Sequence, residues 1–200
     1  MTDANSPTGS GWTAAATANI GYGDNGCNSS GWFPAHSPDF DNTYYTTPAS
    51  GHLWACGATS STTSDSRDLW DIAFSGTPAL LSTPTECSGC IDTSNHAQCS
   101  PITEIYNPST DYLFLGEGLA GSFAYLYGFT ISGTAATAIT GSPITTYPDA
   151  TGGTSAIIID NVSGDAQASS LYFTTLAKST TVCGSSSAYC AIKLTQSALK

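Results

Sequence analysis

Two stretches of this chain repeat one another, and a repeat restricts the fold to a unit that is used more than once. Thr47-Pro48-Ala49-Ser50-Gly51-His52-Leu53-Trp54 aligns without a gap with Asn107-Pro108-Ser109-Thr110-Asp111-Tyr112-Leu113-Phe114, at an offset of 60. Leu69-Trp70-Asp71-Ile72-Ala73-Phe74-Ser75-Gly76-Thr77 aligns with Leu126-Tyr127-Gly128-Phe129-Thr130-Ile131-Ser132-Gly133-Thr134, at an offset of 57. The first pair reads as a proline turn leading into a strand, because proline presets φ and small polar side chains bond the local backbone. The second pair alternates large apolar with small or polar residues, the signature of a strand with two different faces. A third unit offers strands at Ala156–Asn161, Leu171–Leu176 and Cys190–Thr195, and an outer strand is expected at Ala135–Thr140. The units run approximately over 38–98, 99–148 and 149–200, after an N-terminal extension of residues 1–37. Within that extension, Trp12 to Ile20 is a candidate closing strand for the last unit. Gly, Pro, Ser and Thr punctuate the chain too often for an amphipathic helix of ten or more residues. The expected fold is all-β with about three antiparallel sheet units, and an irregular β-sandwich of the same strands is the alternative.

Charge narrows the partners. Four cations, Arg67, Lys178, Lys193 and Lys200, stand against fifteen acids, for a net charge of −11. A phosphate backbone needs a clustered basic surface, so nucleic-acid binding and docking on an anionic membrane are not expected. No apolar run is long enough to span a bilayer as a helix. The start, Met-Thr-Asp-Ala-Asn-Ser-Pro, is not a signal peptide. Either a leader has been removed, or the chain is a piece of a longer secreted protein.

Seven cysteines with few lysines point to an oxidising, extracellular setting. Cys183 and Cys190 flank a six-residue polar loop between strand-like segments and are expected to form a disulfide across a hairpin. Cys87, Cys90, His96 and Cys99 spell C-x2-C-x5-H-x2-C, a set of soft ligands that tetrahedral zinc accepts; the alternative is a disulfide-pinned loop. With an odd count, one cysteine is left free or pairs with another chain. Asn28-Ser29-Ser30 and Asn161-Val162-Ser163 are glycosylation strings.

Phe129-Thr130-Ile131-Ser132-Gly133-Thr134, Ile139-Thr140-Gly141-Ser142-Pro143, Ile157-Ile158-Ile159-Asp160 and Leu171-Tyr172-Phe173 follow one another in the blade-to-blade order of lactonase-like and NHL-like β-propellers, which the chain resembles over roughly residues 38–200. The C-terminal half also resembles long secreted hypothetical proteins of acidobacterial type, a resemblance that implies no function. The propeller resemblance implies blade-like units, and propellers usually have four or more blades. Three units imply an incomplete ring, one that self-associates, or a fragment. It also implies that loops leading into the innermost strands gather on one face, bringing together His36, Asp39, Asp41, Glu104 and Asp149. Oxygen ligands from Asp39, Asp41, Glu104 and Asp149 would suit Ca²⁺, and a bound cation can polarise an ester or lactone carbonyl. In the plainer reading these aspartates cap turns.

Other motifs carry less. Gly116-x-Gly118-x-x-Gly121 matches a dinucleotide fingerprint as a string, yet Phe123 to Leu126 reads as a strand where that motif needs a helix, so a glycine-rich hairpin loop is expected. Neither a G-x-S-x-G elbow nor an H-E-x-x-H motif occurs. Trp12 and Trp32 lie outside the repeats and are candidates for stacking on sugar rings, whereas Trp54 and Trp70 lie on strands and are expected in the core. The expected function is an extracellular, non-enzymatic β-repeat module for binding or scaffolding, with a carbohydrate or small molecule as possible ligand. The rivals are a Ca²⁺-assisted hydrolase of lactonase type and a structural subunit of an extracellular assembly.

Overall fold

A computed structural model describes residues 18–20, 36–59, 67–76, 80–91, 98–119, 123–140, 142–143, 153–161, 169–178 and 188–195. The fold is all-β. Its strands are β1 (Asp39–Phe40), β2 (His52–Ala58), β3 (Arg67–Ser75), β4 (Leu80–Leu81), β5 (Thr85–Cys87), β6 (Gln98–Cys99), β7 (Thr103–Asn107), β8 (Thr110–Leu119), β9 (Phe123–Ser132), β10 (Ala135–Ala138), β11 (Ile158–Asp160), β12 (Ser170–Thr174) and β13 (Ala191–Thr195). One short helix, α1 (Asn42–Thr46), and a 3-10 turn at Pro48–Ser50 precede β2. The strands form three antiparallel sheets: β1-β2-β3-β4 with β5 also on β3, β10-β9-β8-β6 with β7 also on β8, and β11-β12-β13.

The two aligned segments occupy matching positions in two hairpins. In the first sheet Trp54 lies opposite Asp71, and in the second Phe114 lies opposite Gly128. These partners are 60 and 57 residues apart, the two offsets seen in the sequence. The hairpins β2-β3 and β8-β9 therefore share one register.

Side chains alternate across a strand, so each sheet has two faces to cover. Trp54, Cys56 and Leu69 meet Leu113, Leu115, Tyr127, Phe129 and Ile131 in one core between the first and second sheets. Phe114 and Leu126 meet Leu171, Phe173 and Ile192 in a second core between the second and third sheets. The repeated residues thus point the same way along the stack: Trp54 and Leu69 toward the second sheet, and their counterparts Phe114 and Leu126 toward the third. The second sheet is buried on both sides, which is why Leu113-Phe114-Leu115 and Leu126-Tyr127 are continuous apolar runs.

Glycine sets two close approaches. Thr154 lies directly over Gly116, and Gly153 lies beside Gly118, so a side chain at Gly116 would collide with the threonine. Gly116 and Gly118 stand within β8 and are followed by strand β9, not by a helix. They are neither a dinucleotide loop nor the hairpin loop expected from their spacing; they form a flat floor for the segment that leads into the third sheet. Gly121 lies outside the described residues. At the other end of the stack, the carbonyl of Ile20 packs on Gly57 beside the Trp70 ring. The described part of the expected closing strand therefore lies against the first sheet, while Trp12–Thr17 lies outside the described residues.

Candidate functional site

Among the described residues, the densest cluster of ionisable groups sits at the joint between the first two sheets, at the end where β1 and β7 begin. Asp39 lies opposite Trp54 and so faces the second sheet. Its Oδ1 accepts from the N–H of Phe40 at 3.0 Å and its Oδ2 from the N–H of Glu104 on β7 at 2.9 Å. One aspartate thereby ties the two sheets through the backbone. Asp41 caps α1: its Oδ1 accepts from the Tyr44 N–H at 2.9 Å, the usual role of an aspartate at a helix start. The same oxygen accepts from the His52 N–H at 2.9 Å, and the Asp41 N–H donates to the His52 carbonyl at 3.0 Å. Asp41 is buried and holds the helix against the start of β2.

His52 and Asp71 share the inner face of the first sheet, on the diagonal between β2 and β3. The imidazole Nδ1 and Asp71 Oδ1 are 2.6 Å apart, and both residues are buried. Burial raises the Asp71 carboxyl above the usual carboxylate range, as does the negative charge of Asp41; the bond and charge of His52 oppose it. The aspartate interrupts an apolar stretch of β3, Leu69-Trp70-Asp71-Ile72, and the histidine satisfies it there.

Glu104 and Asp111 complete the joint from the second sheet. Glu104 lies opposite Leu113 and Asp111 opposite Tyr106, which puts both acids on one face of β7-β8. Their carboxyl groups hydrogen-bond to each other, and the Asn42 N–H donates to Asp111. Glu104 Oε1 and Asp111 Oδ1 are buried with no hydrogen-bond partner. Burial first, then Asp111, then Asp39 and Asp41 push Glu104 up to about 9. Burial and Asp41 also raise Asp111, against the pull of its bonds to Glu104 and Asn42. The groups acting on Glu104 are all carboxyls, so burial and like charge both favour its protonated form.

The structure therefore gathers three of the expected Ca²⁺ ligands, Asp39, Asp41 and Glu104, and adds Asp71, Asp111 and His52, which sequence reasoning missed. Asp71 carried a signal: it has the parity of core-facing Leu69. Asp149 lies outside the described residues, and His36 is exposed beside the joint. Asp39 and Asp41 cap local backbone, as in the plainer reading, and no three His, Cys, Asp or Glu among the described residues form a set able to hold a metal.

The three cysteines of the expected zinc set are taken up in disulfides. Cys87 is bonded to Cys90, and Cys99 is bonded to Cys56 across the first core. The sulfurs are already paired within and between sheets, and His96 lies outside the described residues. Cys190 is disulfide-bonded as well. Cys183, its expected hairpin partner, lies outside the described residues. Trp12 and Trp32 also lie outside them, whereas Trp54 and Trp70 are buried. No protein family, curated protein or solved structure matches the chain.

Proposed function

We propose that this chain is a non-enzymatic extracellular scaffold module that associates with copies of itself by adding sheets to its stack. The observation that carries this reading is the direction of the repeats. Each of the two aligned hairpins turns the same side chains toward the next sheet, and on the corresponding face of the third sheet Ile158, Thr174, Ala191 and Lys193 are exposed, while Ser170 at its end is buried. Ile158 is 68% exposed and lies opposite Tyr172, whose ring is 5.6 Å from the Lys193 Nζ. Tyr189 is also exposed, at 62%. The two sheet-to-sheet contacts already present are both made by this chain's own sheets, so a second copy is the occupant that continues them. The disulfides suit an oxidising compartment, and no described helix is long and apolar enough to cross a membrane.

Light scattering across a concentration series tests the reading. A concentration-dependent rise above the monomer mass, abolished by Ile158→Asp, is expected. A monomer at every concentration would overturn it.

The rival Ca²⁺-assisted hydrolase draws support from the convergence of Asp39, Asp41 and Glu104. Because Asp39 and Asp41 are already engaged by backbone N–H groups, millimolar Ca²⁺ is expected to leave the melting temperature unchanged. A rise that Asp39→Asn removes would favour the hydrolase.

A further inference from the structure

The two described disulfides occupy opposite circumstances. Cys56–Cys99 joins β2 of the first sheet to β6 of the second, spans 43 residues and lies in the buried core. Cys87–Cys90 spans 3 residues, at the turn where β5 ends. Both of its cysteines are partly accessible, and Ser88 and Gly89 at the tip are exposed. Gly89 has φ +78 with open space around it, so the tip can be approached from solvent.

The backbone of this turn is held by something other than the disulfide. Asp68, 1% exposed on β3, accepts from the Gly89 N–H at 2.7 Å through Oδ2. Its Oδ1 accepts from the Ile91 N–H at 3.2 Å and the Leu69 N–H at 2.9 Å. The Cys90 N–H donates to the Cys87 carbonyl at 3.0 Å. Ile91 anchors the far side of the turn in the first core. The two sulfurs are therefore kept within reach of each other whether or not they are bonded. A short loop also limits what the bond adds to stability, since a cross-link restricts the unfolded chain less when the loop it closes is short.

We propose that Cys87–Cys90 is a thiol–disulfide exchange site, a reversible two-electron couple that reacts with small-molecule thiols. A thiolate attacks one of the two sulfurs, and the Sγ–Sγ bond breaks with its electron pair left on the other, which takes up a proton. A second thiol molecule then attacks the outer sulfur of the mixed disulfide. Two thiols are oxidised to one disulfide, and the protein disulfide is reduced to Cys87 and Cys90 thiols. An oxidised small-molecule disulfide drives the reverse steps, and Asp68 acts as a positioning residue that keeps the thiols in place for reclosure.

The test is a titration of the folded, oxidised chain with reduced and oxidised glutathione, read by thiol alkylation and peptide mass spectrometry. Cys87–Cys90 should open at a thiol concentration about tenfold or more below that needed for Cys56–Cys99, as loop length and access require. The far-UV spectrum should stay unchanged, and oxidised glutathione should close the bond again. Asp68→Asn should lower the fraction reclosed at a given glutathione ratio, and Cys87→Ser with Cys90→Ser should fold with a melting temperature close to that of the parent. Equal resistance of the two disulfides would overturn the proposal. So would loss of the β spectrum when Cys87–Cys90 opens, or failure of the double serine variant to fold.

Discussion

Replacing Glu104 by Gln should change how stability depends on pH, and should do so in one direction. In the folded chain Glu104 keeps its proton up to about 9, against an ordinary value of 4.5. Between those two values folding therefore takes up a proton. A carboxyl raised in this way contributes stability that is complete below its unfolded value and is lost as pH rises through its folded one. At about 1.4 kcal/mol per pKa unit, that rise sets an upper bound of roughly 6 kcal/mol. The pair is only half-buried, and solvent screening reduces the figure to about 2 kcal/mol. Glutamine has no proton to lose and can still donate to Asp111, so Glu104→Gln should flatten the profile. Urea unfolding at about pH 5, 7 and 9 should show the variant gaining about 2 kcal/mol on the parent from the lowest pH to the highest. Parallel pH profiles for the two proteins would refute the raised Glu104 carboxyl at this joint.

Replacing Cys56 and Cys99 together by alanine should cost about 4 kcal/mol in denaturant unfolding, the entropy of a 43-residue closure. Asp41→Ala should cost about 1–2 kcal/mol by freeing the N–H groups of Tyr44 and His52, with Asp41→Asn recovering part of the loss in thermal melts. Gly116→Ala should destabilise by about 1–3 kcal/mol through its collision with Thr154, and Thr154→Gly should restore most of that loss in the double variant.

The alternation and apolar runs made the strands readable, those of the third unit within one or two residues of their boundaries. The offsets of 60 and 57 reappear between matching positions of the two principal hairpins, but their pairing was not itself readable. The faces were harder. Trp54 and Phe114 are equivalent in sequence yet lie in different cores, since which face is inward depends on how sheets stack. Asp39, Asp41 and Glu104 were readable as acids near strand starts. Asp111 and His52 were not, because each finds its partner across a sheet or along a diagonal that only pairing creates. The cysteines show the same limit. Cys56–Cys99 depends on the docking of two sheets, and the spacing of Cys87, Cys90 and Cys99 looked like a ligand set because spacing does not reveal that Cys56 faces Cys99.

A strand buried on one side is locked in register by its own alternation, since a slip of one residue turns its apolar side to water. The central sheet lacks that safeguard. Sliding β8 by one position would exchange Phe114 for Leu115 or Leu113, apolar for apolar, on either side. What a slip would spoil is the place of the glycines: Leu115 or Glu117 would arrive under Thr154, where only Gly116 leaves room. It would also carry Glu117 away from the Tyr127 hydroxyl that donates to it at 3.0 Å. In this strand, buried on both sides, the absence of a side chain acts as the alignment key, and hydrophobicity supplies the glue without the address.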